Sequence, residues 1–178
     1  MDLRRSQSQL YRFFSGLAEQ TFEARLGVAD PPLIDYIAAL LTRFMHFDAI
    51  FNVRNPCGRR LEEVAEMLVE AEARVGESRR EVHRHIGDFT LFWTGLYPEA
   101  LRRIKKQSRL DYFVDYCEQG KRAYHIASTI PDDTGENEVL ERLSHEFELC
   151  AFGLGELRRE WQRRDSDSGD LPPSIIIN

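Results

Sequence analysis

Hydrophobic residues recur along most of this chain at alternating steps of three and four positions, which is the period of an α-helix. The longest series is Leu140, Leu143, Phe147, Cys150, Leu154, Leu157 and Trp161. It predicts a long helix over residues 136–163, and its spacing suits the seam of a helical bundle. Residues 32–47 are apolar around so much of a helix circumference that they predict a core helix.

The same period predicts four further helices. They cover residues 6–26, 60–75, 79–94 and 109–129, and a short helical segment runs over residues 96–105. Thr94 and Gly95 are interpreted as a helix end. Residues 60–94 could also form one helix through Gly76, but a break is favoured because Ser78 and Glu81 have the spacing of a capping box.

These elements predict an all-α, single-domain bundle of about six helices with mostly up-and-down topology. Residues 1–163 are predicted to form the bundle. Residues 164–178 are predicted to form a flexible C-terminal tail on the basis of their composition. The three isoleucines at 175–177 could either dock on a neighbour or belong to a disordered end.

Composition narrows the classes of protein to which this chain can belong. The net charge of −6 argues against a nucleic-acid binder, which needs a positive surface to displace counterions. Three widely spaced cysteines without CxxC spacing predict reduced thiols and no zinc site. The N-terminus lacks the apolar core of a signal peptide, and no run approaches the roughly 18 apolar residues of a membrane span. We therefore expect a cytoplasmic protein without a membrane partner.

Residues 81–129 concentrate the side chains that could carry chemistry, and Asp88 is the only acidic residue that we expect on a buried helical face. Steps of four and three place Glu81, His85 and Asp88 on one helix face, where they could hold a metal ion or relay a proton. Asp88 could instead tie its helix to the tyrosine-rich helix or to an arginine, or be exposed. The tie is favoured, because a buried carboxylate is costly unless it is paired or hydrogen-bonded.

The candidate ligand-binding residues are His85, Asp88, Tyr112, Tyr116 and Tyr124. The three tyrosines share one side of the predicted helix over residues 109–129. An aromatic stripe at helical spacing is more often core than the wall of a pocket, so both interpretations stay open. No catalytic residue, metal ligand or cofactor is assigned.

Two further charged clusters are interpreted as solvated surface. Glu141, His145 and Glu148 repeat the carboxylate–histidine spacing of di-metal bundles, but they fall off the apolar seam of the last helix. A di-metal site would therefore lack a second set of ligands to complement Glu81, His85 and Asp88. The basic run at residues 102–106 is interpreted as an exposed face, with a contact for an acidic partner or a phosphate as the alternative.

Several short motifs follow one another through the centre of the chain. They are Ile86-Gly87-Asp88, Leu91-Phe92, Gly95-Leu96-Tyr97-Pro98-Glu99, Tyr112-Phe113, Gly120 and Ala123-Tyr124. In this order they resemble a family of uncharacterised bacterial all-helical proteins. The chain departs from that pattern at Phe113, where the family has a second tyrosine. The resemblance implies a helical fold and comes with no established activity.

The sequence favours a non-enzymatic, cytoplasmic bacterial protein that acts through contacts with a protein partner or with itself. The alternative is a ligand-binding protein or a metal-dependent enzyme with a polar site around His85 and Asp88. The two hypotheses predict different structures. A binding protein should have a cavity with convergent polar groups beside Asp88, whereas an interaction module should have a closed core and an exposed apolar patch.

Overall fold

The structure, a computed structural model, describes residues 2–168. Over these residues the chain folds into packed helices. The described part contains no strand, so the predicted all-α fold is confirmed. The predicted helices are subdivided, so that the described residues form α1 (Asp2–Ala18), α2 (Pro31–Phe44), α3 (Phe47–Ile50), α4 (Val64–Ala73), α5 (Gly76–Leu96), α6 (Pro98–Gln107), α7 (Tyr116–Thr129), α8 (Asn137–His145) and α9 (Phe147–Ser168). A π-helical segment, Glu19–Arg25, follows α1, and a 3-10 turn, Asp111–Phe113, precedes α7.

Helix α5 lies at the centre of the bundle. It packs against α4, α6, α7 and α9, and 14 of its 21 residues are buried. Its second half is apolar on nearly every side, because Phe89, Leu91, Phe92 and Trp93 all lie in the core. A helix that is buried around its circumference needs neighbours on all sides, and side chains of α2 also contact α5.

The apolar series predicted for the last helix is buried. Its members from Leu140 to Leu157 have no exposed surface, and Trp161 packs against the edge of the core. The helix itself is interrupted at Glu146, whose φ of −103° and ψ of 25° separate α8 from α9. The Cys150 amide still donates to the Glu146 carbonyl at 2.9 Å, so the three-and-four spacing continues across the interruption.

The helix ends close to the predicted place, at Leu96, but Gly95 lies inside α5 and is not the residue that ends it. Gly95 instead marks the place where α5 and α9 approach each other. A Cβ atom on Gly95 would lie 2.8 Å from the Leu154 Cβ and 3.0 Å from the Ala151 carbonyl oxygen. The glycine therefore serves a helix crossing, which local sequence alone does not distinguish from a helix end.

The predicted break near Gly76 is confirmed, because α4 ends at Ala73 and α5 begins at Gly76. Gly76 has a φ of +58°, which favours glycine. The predicted capping box is not formed. Val75 occupies the N-cap position without a side-chain hydrogen bond, so Ser78 lies within the first turn of a helix that starts earlier than predicted.

Helix α7 begins at Tyr116, later than the predicted start at residue 109. Asp111 accounts for the difference. Its carboxylate accepts hydrogen bonds from the amides of Val64 at 2.7 Å and Ala65 at 2.8 Å, which are free donors at the start of α4. The segment before α7 therefore connects to α4 instead of extending α7.

Two predictions concern the C-terminal tail and the membrane. Residues 164–168, at the start of the predicted tail, belong to α9, and the isoleucines at 175–177 lie outside the described residues.

None of the helices in the described part of the chain is long and apolar enough to cross a membrane.

Candidate functional site

The carboxylate of Asp88 is held at the junction of three helices. Asp88 lies on α5 and is 3% exposed. Its Oδ1 accepts hydrogen bonds from the hydroxyl of Tyr36 on α2 at 2.7 Å and from that of Tyr124 on α7 at 2.8 Å. Its Oδ2 accepts a hydrogen bond from Nη2 of Arg43, also on α2, at 2.8 Å. We refer to these four residues as the Asp88 cluster.

The local sequence explains how the helices bring these side chains together. Tyr36 and Arg43 are seven residues apart on α2, which is about two helical turns, so they share a face. Gly87 lacks a Cβ that would otherwise lie 2.6 Å from the Tyr124 ring, so α5 and α7 can approach closely. The rings of Tyr36 and Tyr124 then meet edge to face, with their centroids 6.5 Å apart.

Burial dominates the electrostatics of the Asp88 cluster. It raises the pKa of Tyr36 and of Tyr124 well above the ordinary value, and the negative charge of Asp88 raises both further. Burial opposes the charge on Arg43, but the attraction of Asp88 outweighs it, so the pKa of Arg43 is raised. Both tyrosines therefore remain protonated donors, and Arg43 remains charged.

A cavity of about 400 Å³, partly open to solvent, lies beside the Asp88 cluster. Its polar lining consists of Arg43, Asn52, Arg54, Arg74, Glu81, Arg84, His85 and Asp88. Its apolar lining consists of Phe44, Ala49, Val53 and Val82. We refer to this cavity as the arginine pocket. Convergent polar groups around a cavity beside Asp88 are the feature expected of a binding protein.

The lining of the arginine pocket contains four arginines and two carboxylates, and two further carboxylates pair with its arginines from outside the lining. Arg84 is held by Glu81 at 2.7 Å and by Glu136 at 3.5 Å. Arg74 is held by Glu70 at 2.8 Å. Because a guanidinium has five N–H donors, these arginines keep donors beyond those that their protein partners use.

His85 forms part of the pocket wall and is 8% exposed. Burial lowers its pKa to about 4, although Asp88 and the Ile50 carbonyl favour the charged form. The imidazole is therefore neutral at pH 7. Its Nε2 is buried and has no hydrogen-bond partner among the described residues.

The structure brings together some of the predicted site residues and separates the others. His85 and Asp88 line the arginine pocket, and Tyr124 contacts it indirectly through its hydrogen bond to Asp88. Tyr116 is buried elsewhere, where its hydroxyl donates to Asp111 at 2.6 Å. Tyr112 is 53% exposed and belongs to the turn before α7. The predicted stripe of three tyrosines divides because α7 starts only at Tyr116.

Several residues of the site were not predicted from the sequence. Tyr36 and Arg43 come from α2, and an arginine two turns after a tyrosine in a mostly apolar helix was the available signal. Asp88 is also not the only buried acidic residue, as the sequence suggested. Asp111 is 1% exposed, and Arg80 is a further buried charge, held by Asp132 at 3.0 Å.

The described residues offer no cluster of metal-ligating side chains, and the thiols of Cys117 and Cys150 are not reactive thiolates. No group of three or more His, Cys, Asp or Glu side chains is arranged there to hold a metal ion. Glu141, His145 and Glu148 are exposed, as their position off the apolar seam predicted. Burial raises the pKa of Cys117 to about 11 and that of Cys150 to about 12, so both thiols are protonated.

Comparisons with family models, with curated proteins and with solved structures give no match for this chain. Fold and site nevertheless define a class, an all-α bundle with an arginine-lined pocket beside a buried ion pair. The functional proposal therefore rests on the geometry of that pocket.

Proposed function

We propose that this protein binds a small anionic ligand in the arginine pocket. The observation that carries the proposal is the convergence of four arginines on one cavity of about 400 Å³. A cavity of this size falls within the roughly 300–1,000 Å³ that is typical of small-molecule sites. Binding is favoured over proton transfer by Asp88, because both of its carboxylate oxygens already accept hydrogen bonds.

The chemistry of the lining suggests a carboxylate or phosphate group as the part of the ligand that is recognised. A planar guanidinium presents paired donors that match the oxygens of either group. Arg43 is oriented by Asp88 and Arg84 by Glu81, so their side chains lose little freedom when a ligand arrives. Phe44 and Val82 offer an apolar surface for the rest of the ligand.

The proposal is tested by calorimetric titration with inorganic phosphate, citrate, succinate and nucleoside monophosphates, each against an uncharged analogue. We expect at least one anion to bind, and the Arg54→Gln variant to bind it roughly 10–100-fold more weakly, since a hydrogen bond to a charged group contributes about 1.5–3 kcal/mol. Arg54 suits this test because its side chain is exposed and bonds only the Gly58 carbonyl among the described residues.

Arg59→Gln is the matched control. Arg59 lies in the same loop but outside the pocket lining, where it pairs with Glu66 at 2.6 Å. The control variant should bind the anion as the unaltered protein does. Equal losses in the two variants, or a panel in which no anion binds better than its uncharged analogue, would contradict the proposal.

A second candidate is the function that the sequence favoured, a cytoplasmic protein acting through protein contacts. It is supported by Val69 and Leu110, which are 73% and 53% exposed and line one shallow depression of about 310 Å³. Neighbouring exposed apolar side chains are typical of protein contact surfaces. We propose self-association through this surface as the simplest form of such a contact.

Sedimentation velocity over a range of protein concentrations tests this second candidate. We expect a mass that rises with concentration, and Val69→Asp should abolish the rise. Val75→Asp is the control, because Val75 is 84% exposed and does not line the depression. A constant monomer mass for the unaltered protein would exclude self-association.

A further inference from the structure

Helix α6 presents a basic face to solvent. None of its ten residues is buried, and the side chains that rest against the core, Leu101 and Ile104, are only half-buried. Arg102, Arg103 and Lys106 are exposed. The basic run of the sequence therefore forms the outer side of a short amphipathic helix.

Most of these charges are not compensated within the described part of the chain. Arg102, Lys106 and the following Arg109 form no ion pair with a described residue, and the acidic side chain of α6, Glu99, is bound by Arg158 at 2.6 Å. A local group of like charges raises the electrostatic potential around it and attracts anions. This basic group is opposite in sign to the net charge of the chain, which is −6.

Two aromatic side chains protrude directly after the basic helix. Phe113 is 90% exposed and Tyr112 is 53% exposed, and their rings lie edge to face with centroids 4.8 Å apart. Between these residues and α6, Asp111 accepts hydrogen bonds from the start of α4 and from the Tyr116 hydroxyl. The 3-10 turn is therefore anchored at its first residue while its aromatic side chains point away from the core.

We propose that α6 and this turn form a docking surface for an anionic lipid membrane. The surface consists of Arg102, Arg103, Lys106, Arg109, Tyr112 and Phe113, and we refer to it as the α6 surface. Basic side chains near an anionic bilayer are attracted to its head groups, and aromatic side chains partition into the interfacial region. The contact is peripheral and needs no membrane span, so this proposal departs from the sequence expectation of no membrane partner, which rested on the lack of a spanning segment.

A membrane fits the α6 surface better than a folded partner or a nucleic acid does. The Phe113 ring has almost no neighbours, and a protruding ring can enter a soft bilayer without a preformed pocket on the partner. A polyanionic membrane also spans all four basic side chains at once. A nucleic acid would instead need successive aromatic platforms along a groove, whereas the two rings here lie edge to face beside each other.

Flotation with lipid vesicles tests the proposal on the full chain. Vesicles of phosphatidylcholine with 30% phosphatidylserine should bind the protein, whereas pure phosphatidylcholine vesicles should not. The double variant Arg102→Gln with Arg103→Gln should bind about 25-fold more weakly, since each basic residue near an anionic surface contributes roughly a factor of five. Phe113→Ala should also weaken binding, and 0.5 M salt should abolish most of it.

Matched controls change the same residue types elsewhere. Arg12→Gln with Arg122→Gln removes the same charge from exposed positions on α1 and α7, and Phe152→Ala removes a ring that is 56% exposed on α9. Both control variants should float as the unaltered protein does. Circular dichroism should show equal helix content in all variants, because every altered side chain is exposed.

Three results would overturn the proposal. The first is no flotation with anionic vesicles. The second is equal flotation of the α6 variants and their controls. The third is tighter binding of polyuridylate or polyglutamate than of vesicles, lost in the Arg102 and Arg103 double variant, which would assign the α6 surface to a nucleic acid or to an acidic protein. The Arg54→Gln variant of the arginine pocket should float normally, so this test and that of the proposed function can fail separately.

Discussion

At the residue scale, Asp88 is a buried carboxylate whose hydrogen bonds come from three partners on two other helices. Such a group adds little net stability over an apolar replacement of the same shape, but removing one member of a buried pair is strongly destabilising. The Asp88 cluster therefore ties α2, α5 and α7 together and orients Arg43 toward the arginine pocket. The proposed binding role of Arg43 therefore depends on the same carboxylate that joins the helices.

We predict that Asp88→Ala lowers the free energy of unfolding by about 3 kcal/mol, because it leaves Arg43 and two tyrosine hydroxyls without their acceptor. Asp88→Asn should lose less. Its Oδ1 can still accept from both tyrosines, while its amide faces the Arg43 donor. Urea unfolding followed by circular dichroism measures both values.

Asp35 provides the control for this measurement. It lies on α2 and is exposed, so Asp35→Ala should change the free energy of unfolding by less than about 0.5 kcal/mol. If Asp88→Ala were as stable as the Asp35 variant, the cluster would not tie the helices together, and Asp88 would be a functional residue held at a cost to stability.

The sequence predicted that Asp88 would pair with the tyrosine-rich helix or with an arginine, and the structure shows both. The physical basis was general, since a carboxylate on an apolar face needs a partner. The identity of two partners was not predictable. Tyr36 and Arg43 are 52 and 45 residues away along the chain, and only helix packing brings them to Asp88.

At the element scale, glycines set how closely the helices cross. Gly87 and Gly95 on α5 face Tyr124 on α7 and Leu154 on α9. Gly153 on α9 likewise leaves space for the ring of Phe22. The central position of α5 thus depends on residues without side chains as well as on its buried aromatic residues.

We predict that Gly95→Ala lowers the free energy of unfolding by about 1–2 kcal/mol. Overpacking costs about 1–3 kcal/mol, and here the new methyl group meets a Cβ and a backbone oxygen, which cannot rotate away. The gain in helix propensity of about 1 kcal/mol offsets only part of this cost. Thermal and urea unfolding report the difference.

Gly16→Ala is the matched control, since Gly16 is also inside a helix and has nothing within 4 Å of an added Cβ. That substitution should stabilise the protein by up to about 1 kcal/mol. Stabilisation by both substitutions would show that α5 and α9 do not pack closely at Gly95.

Element boundaries were predicted where a local signal decided them. The break at Gly76 was predicted from the spacing of Ser78 and Glu81, and it forms although that capping box does not, with Gly76 at a positive φ. The start of α7 was missed, because Asp111 bonds to the start of α4, 47 residues earlier in the chain. The helical period of a segment does not predict a hydrogen bond to a residue that is distant in the sequence.

At the scale of the whole molecule, buried histidines couple stability to pH. Burial lowers the pKa of His85 to about 4 and also lowers that of His83. His85 is faced by Asp88, Arg43 and Arg84. An unfolded histidine has a pKa of about 6.5, so between pH 6.5 and 4 the unfolded chain binds a proton that the folded chain does not.

We therefore predict that stability rises with pH through this window and is lost as the pH falls from about 6.5 to about 4. For His85 alone, the free energy of unfolding should fall by about 2 kcal/mol between pH 7 and pH 5. Urea unfolding at both pH values measures this change. His85→Gln should remove most of it, whereas His125→Gln, at an exposed position, should leave it unchanged.

A flat pH profile for the unaltered protein would show that His85 is not buried in its neutral form. A profile that persists in the His85 variant would assign the dependence to other groups, of which His83 is the first candidate because burial lowers its pKa as well.

The sequence by itself determined the helical class of the protein and the apolar seam of α8 and α9, because the period of three and four is a local property of the backbone. It also located the polar residues of α5. Only the tertiary structure decided that the arginine pocket exists. Its arginines at 43, 54, 74 and 84 come from four different parts of the chain, and their convergence depends on which helices become neighbours, a long-range outcome of packing that no local pattern records.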